Sequence, residues 1–282
     1  MIGRLVSSPR GATYYWVERN AKPNAPYIVF THGIAANHHL FDKQLPYFKW
    51  DYNIIVWDIP MHGRSRPYQG FSYAYAAEDL FAILQREQVD CAVMVGHGIG
   101  GYICQEFAAQ HPDMVSAFIG IGAMPFGQSY YTAADLKQLR KVPLSMKRMP
   151  ERMLQTSLAK NRAQSKYGYH ITLGMLEQMS KQEILAVTSA AYADRFTRVE
   201  PVKFTCPVLL VIGASDYTGK IAEYCRKWSE QTGYPMHVID DAAHNANADN
   251  YDDFNDAVNK FLHRNVRAHL ENRKFAREGK EF

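Results

Sequence analysis

Cysteine is scarce in this chain of 282 residues: four, at Cys91, Cys104, Cys206 and Cys225. Their spacing fits no metal motif and they sit beside apolar segments, so reduced thiols in a cytoplasmic protein are expected. Long apolar runs are missing too. No stretch approaches the roughly 20 residues that a helical membrane span needs. The opening, MIGRLVSSPRGATYYW, has an early Arg but no apolar core of a secretory signal. Excess charge is small, at +4, and residues 264–282 hold six Lys and Arg against three Glu. The remainder is nearly neutral, which removes the case for a nucleic-acid-binding face. Internal repeats and low-complexity tracts are also lacking.

Apolar residues make up 47% of the chain and charged ones 21%, a balance that builds a packed core and argues against disorder. Short apolar runs alternate with amphipathic helical stretches, as in a mainly parallel sheet covered by helices. ATYYWVERN (12–20) alternates and reads as an early antiparallel strand. Buried strands are expected in PYIVFTHG (26–33) and YNIIVWDIP (52–60), and further strands in CAVMVGH (91–97), MVSAFIGIG (114–122), CPVLLVIGASD (206–216) and YPMHVIDDAAH (234–244). About eight strands with helices on both faces result. Residues 124–204 show helical periodicity and no convincing strand. A structureless loop of that length is unusual in a compact domain, so an inserted helical cap is the better reading. The domain division is then 1–123 and 205–263 for the core, 124–204 for the cap, and 264–282 for a charged, solvated helical extension.

The segment VMVGHGIGGYICQEFAAQHP (93–112) reads as strand, sharp turn and helix. A turn that displays a nucleophile needs small neighbours, because it packs tightly on the sheet. Gly96, Gly100 and Gly101 stand in those places. At the display position itself, Gly98, there is no side chain. The same glycines also fit the G-x-G-x-x-G spacing of a dinucleotide-binding turn, although that turn belongs near the first strand of its domain. Upstream, THGIAANHHLF places a His-Gly pair after a strand, from which the Ile34 N–H could turn toward position 98. With the Ile99 N–H it would form a two-donor oxyanion site. Downstream, Asp216 ends a strand in GASDYTG, and His244 follows the last strand in DDAAHNAN. The order of nucleophile position, acid and histidine is 98, 216, 244.

Taken together, His32–Gly33, D-x-x-x-H-G-R-S at 58–65, the elbow, Asp216 and His244 make the chain resemble the capped esterase, lipase and lactonase-like group of the α/β-hydrolase fold. The resemblance implies a serine at position 98, less often Asp or Cys, with His244 as base, Asp216 orienting it, and an architectural Asp58 loop. It implies no cofactor and no metal, a small-molecule substrate, and leaves oligomeric state open. The cap is rich in Met and Tyr, so His38, Tyr130, Met153 and Met175 are the expected substrate-pocket residues. Three explanations of Gly98 stand. It replaces a serine in otherwise intact machinery; it marks a ligand-binding protein that has lost its chemistry; or the His–Asp dyad works without a nucleophile.

Overall fold

The computed structural model describes residues 1–194 and 198–278. Eight strands form one sheet: β1 (Ile2–Ser8), β2 (Gly11–Glu18), β3 (Tyr27–Thr31), β4 (Asn53–Trp57), β5 (Ala92–His97), β6 (Val115–Ile121), β7 (Val208–Gly213) and β8 (Met236–Ile239). Their spatial order is β1-β2-β4-β3-β5-β6-β7-β8. The pairs β1–β2 and β2–β4 are antiparallel, and the remaining neighbours run parallel.

The parallel strands β3 to β7 are covered on both faces, which is why these sequences run largely apolar instead of alternating; the edge strand β8 is less buried. Side chains of adjacent residues point to opposite faces. Val29, Ile55, Trp57, Met94, Phe118 and Leu210 pack on one side with helices α1 (Tyr73–Arg86) and α2 (Ile99–Gln110). Ile28, Phe30, Ile54, Val56, Val93, Val95, Ile119 and Val211 pack on the other, with Phe41, Phe48, Phe254 and Val258.

Between β6 and β7 lie five helices: α3 (Ala133–Leu139), α4 (Val142–Lys147), α5 (Glu151–Arg162), α6 (Lys166–Glu177) and α7 (Lys181–Asp194). The described residues of that interval form no strand. Of these, α4 to α7 share a small core of their own, with Met146, Leu154, Ala159, Leu176, Met179, Ile184 and Val187, and Ala35 from the loop after β3. After β7 come α8 (Ile221–Thr232) and, beyond β8, α9 (Tyr251–Glu278). The closing helix and the expected extension are thus one continuous helix through residue 278. The solvated face expected for that extension involves side chains outside the described residues.

Candidate active site

The turn between β5 and α2 is as tight as its glycines suggest. A Cβ on Gly96 would lie 2.6 Å from the Gly101 Cα, and one on Gly100 would strike the Thr31 carbonyl oxygen. Gly98 differs from these. Its backbone is left-handed, at φ +52° and ψ −116°, yet a Cβ there would meet nothing nearer than His244 Nε2 at 3.4 Å. There is room for a side chain at position 98, and it would point at an imidazole.

That imidazole is held from behind. His244 Nδ1–H donates to Asp216 Oδ2 at 2.9 Å, and Asp216 Oδ1 accepts from the Thr218 N–H at 2.9 Å. Burial pushes the Asp216 carboxyl up, but the His244 charge and the hydrogen bonds from His244 and Thr218 outweigh it and leave it below its ordinary value. A carboxylate on the Nδ1 side fixes the tautomer and leaves Nε2 as an acceptor facing Gly98. The loop that carries His244 is tied at several points. Ser215 N–H donates to the Ala242 carbonyl at 2.9 Å, Ala243 N–H to Asp249 Oδ2 at 2.9 Å, and Asn245 N–H to the Arg162 carbonyl at 2.7 Å. Gly122, at φ +51°, leaves space for the ring: a Cβ there would sit 2.7 Å from His244 Nδ1.

Ile34 and Ile99 line the same cavity as Gly98 and His244. The Ile34 loop is clamped from two sides. The next residue, Ala35, has φ +51°, and its N–H donates to His62 Nε2 at 2.9 Å, while His62 Nδ1–H donates to the Pro60 carbonyl at 2.9 Å. Arg162 Nη1 donates to the Ile34 carbonyl at 2.8 Å. His32, two residues before Ile34, accepts from the Ile59 N–H at 3.1 Å. Both rings are fully buried, and burial lowers His32 to about 4 and His62 to about 3, so both are neutral supports.

A cavity of about 640 Å³ opens above Gly98, within the range of small-molecule sites. Met175 lines it, as expected, together with Met146, Tyr102, Tyr192 and Arg162. Three other expected pocket residues lie elsewhere. His38 stacks on Trp16 with ring centroids 3.7 Å apart, and its Nδ1–H donates to Asp58 Oδ1 at 2.8 Å, so that acid fastens it to the sheet side. Tyr130 is buried in the main core, with its carbonyl bound by Lys227. Met153 points outward and is 56% exposed, because α5 turns Leu154 inward instead.

His97, inside the elbow motif, was not expected in the site. Its Nε2–H donates to the His244 carbonyl at 3.2 Å and its ring lies 4.6 Å from the His244 ring. Burial, then the neighbouring His244, holds it well below its usual range. The sequence cue was the His between the first two elbow glycines. Among the described residues, no group of three or more His, Cys, Asp or Glu is placed to hold a metal ion.

The family model for the alpha/beta hydrolase fold matches residues 26–251, a stretch that contains the elbow, Asp216 and His244. The chain belongs to that family. It is 34% identical over 115 residues to the magnesium-chelatase 30 kDa subunit of Rhodobacter capsulatus, covering 40% of each chain. It is also 34% identical over 100 residues to a pimeloyl-[acyl-carrier protein] methyl ester esterase of Neisseria meningitidis, covering 35% of this chain and 37% of that one. The chain thus aligns with well under half the length of these curated relatives. Among solved structures, the enol-lactonase of Burkholderia xenovorans LB400 superposes with a TM-score of 0.70 at 16% identity, over 92% of this chain and 99% of the other. That likeness concerns the fold. No helix among the described residues is long and apolar enough to cross a membrane.

Proposed function

We propose that this chain has the machinery of a serine hydrolase acting on a carboxylic ester, lactone or similar small substrate, with Gly98 in the place of the nucleophile. One observation carries the reading: His244 Nε2 lies 3.4 Å from where a Cβ of residue 98 would stand, and its Nδ1–H is bound to Asp216. In a serine enzyme of this arrangement the hydroxyl gives its proton to His244 and attacks the carbonyl carbon, while Asp216 stabilises the imidazolium. The Ile34 and Ile99 amides are the proposed donors to the oxyanion. Without the hydroxyl the substrate binds and no acyl-enzyme forms, so the chain as it stands is impaired or traps its ligand. The five helices between β6 and β7 serve as a cap over residues 124–204, set on a core of residues 1–123 and 205–263. The esterase among the relatives supports an ester as the substrate class.

A second reading rests on the same intact pair. His244 Nε2 opens on the cavity with no side chain in front of it, so the dyad is placed to take a proton directly from a bound substrate. Gly98→Ser separates the two. Under the first reading it creates hydrolysis of aryl and alkyl esters or lactones, and it makes the protein react with serine-directed phosphonates. Under the second, the present chain already turns over its substrate, and the added hydroxyl leaves the rate unchanged or slows it. A purely ligand-binding protein shows saturable binding in both forms and turnover in neither.

A further inference from the structure

Among the described residues the charges on the cavity wall are of one sign: Lys160 and Arg162 line it, and no Asp or Glu does. Asp216 lies behind His244 and is taken up by the imidazole and the Thr218 N–H. Arg162 ends α5, is half-buried, and is among the residues that line the cavity. Among the described residues no carboxylate pairs with it. Its hydrogen bond is the one from Nη1 to the Ile34 carbonyl. A guanidinium has five N–H donors in a planar fork, so most of its capacity is unused here. The packing around it lowers its pKa to about 10, and it remains charged at neutral pH.

An enclosed cation without a counter-ion is costly unless something pairs with it. The end of α5 recovers part of that cost, because a cation favours a helix C-terminus. A structural tie to Ile34 accounts for one donor and for none of the charge. Arg162 lines the same cavity as Gly98 and His244, and its one side-chain bond ties it to the loop that carries Ile34. An anion held by the rest of the fork would share that cavity with a carbonyl placed between Gly98 and His244.

We propose that Arg162 binds a carboxylate carried by the substrate, so that the cavity selects short monoesters or lactones that bear a free acid over neutral esters. The proposal rests on the site reading above for the reacting bond, and on Arg162 alone for the anion. Lys160, at the more exposed end of the wall, adds a weaker attraction.

Calorimetric titration of the chain as it stands separates the two ideas, because it needs no turnover. The ligands are monomethyl glutarate and its neutral counterpart dimethyl glutarate, compared in the parent protein, Arg162→Gln and Arg162→Lys. The monoester should bind about 10–100-fold more tightly than the diester, the range of a charged hydrogen-bonded pair. Arg162→Gln should abolish that preference, read as the ratio of monoester to diester affinity so that any common loss from a loosened Ile34 loop cancels; a purely structural role for Arg162 would lower both affinities and keep the ratio. If Arg162→Gln loses both ligands through misfolding, Arg162→Lys decides: a preference cut about tenfold supports the fork, because lysine offers a point charge instead. Equal affinities in the parent, no detectable binding of the monoester, or a preference that survives both substitutions overturns the proposal. Failure of Gly98→Ser to hydrolyse esters, with the preference intact, would sink the hydrolase reading and leave the anion site standing.

Discussion

Adding a serine hydroxyl at position 98 tests backbone and chemistry at once. An L residue held at φ +52° and ψ −116° carries strain on the order of 1–3 kcal/mol. Replacing glycine also stiffens the unfolded chain, which returns about 0.4–1 kcal/mol. The Cβ meets nothing closer than 3.4 Å, so no steric term adds to this. Gly98→Ser and Gly98→Ala should therefore both lose between about 0 and 2.6 kcal/mol, a fall in midpoint temperature of up to roughly 4–5 °C for a chain of this size. Their activities should diverge. The serine variant should gain ester or lactone hydrolysis on the order of 10⁴-fold or more, and the alanine variant none. His244→Ala in the serine background should remove nearly all of that gain, since base and nucleophile act as a unit. The assays are a thermal melt and initial rates on a panel of aryl esters and lactones. Equal inactivity of the serine and alanine variants, with both folded, would refute the assignment of His244 as base. A midpoint raised by about 2 °C or more in both would refute the strained turn.

Other substitutions probe the supports. In the serine background, Gly122→Ala places a Cβ 2.7 Å from the present His244 Nδ1; the ring must move off Asp216, and kcat should fall about 100-fold or more with KM little changed. Asp249 accepts from the Gln164, Ser165 and Ala243 N–H groups and the Ser165 hydroxyl, so Asp249→Ala strands the buried Ala243 donor and frees the partly buried others, and should cost about 1–3 kcal/mol by urea titration. Buried neutral His32 and His62 titrate below their unfolded value of 6.5, at about 4 and about 3. The unfolded chain thus binds protons first, and the stability these rings contribute is complete above pH 6.5 and lost as pH falls toward 4. Midpoint temperatures measured from pH 7 to pH 4.5 should show that slope, and His62→Gln should flatten it.

The features that sequence exposes here are those whose physics is local. A glycine cluster between an apolar strand and an amphipathic helix has few other uses, and the buried parallel strands announce themselves as unbroken apolar runs. β1 was not legible, because Ile2–Ser8 is an edge strand paired on one side and mostly exposed or half-exposed, so burial never imposed an apolar pattern on it. The pocket wall is illegible for a different reason. The helices α4 to α7 between β6 and β7 each have one face on a shared small core and another on the cavity or solvent, and periodicity does not say which is which. Met153 and Arg162 both lie on α5, yet one points outward and the other lines the site. Met146 and Met179 pack the shared core of these helices, so methionine richness reflected packing as much as ligand contact. His38 and Asp58 show the converse: a histidine in the right loop is bound by an acid one strand away and turned from the chemistry. The rings that hold the Ile34 loop, His32 and His62, sat in plain view inside two motifs. Their role becomes visible only when burial removes their charge and leaves a neutral acceptor for the Ile59 and Ala35 amides.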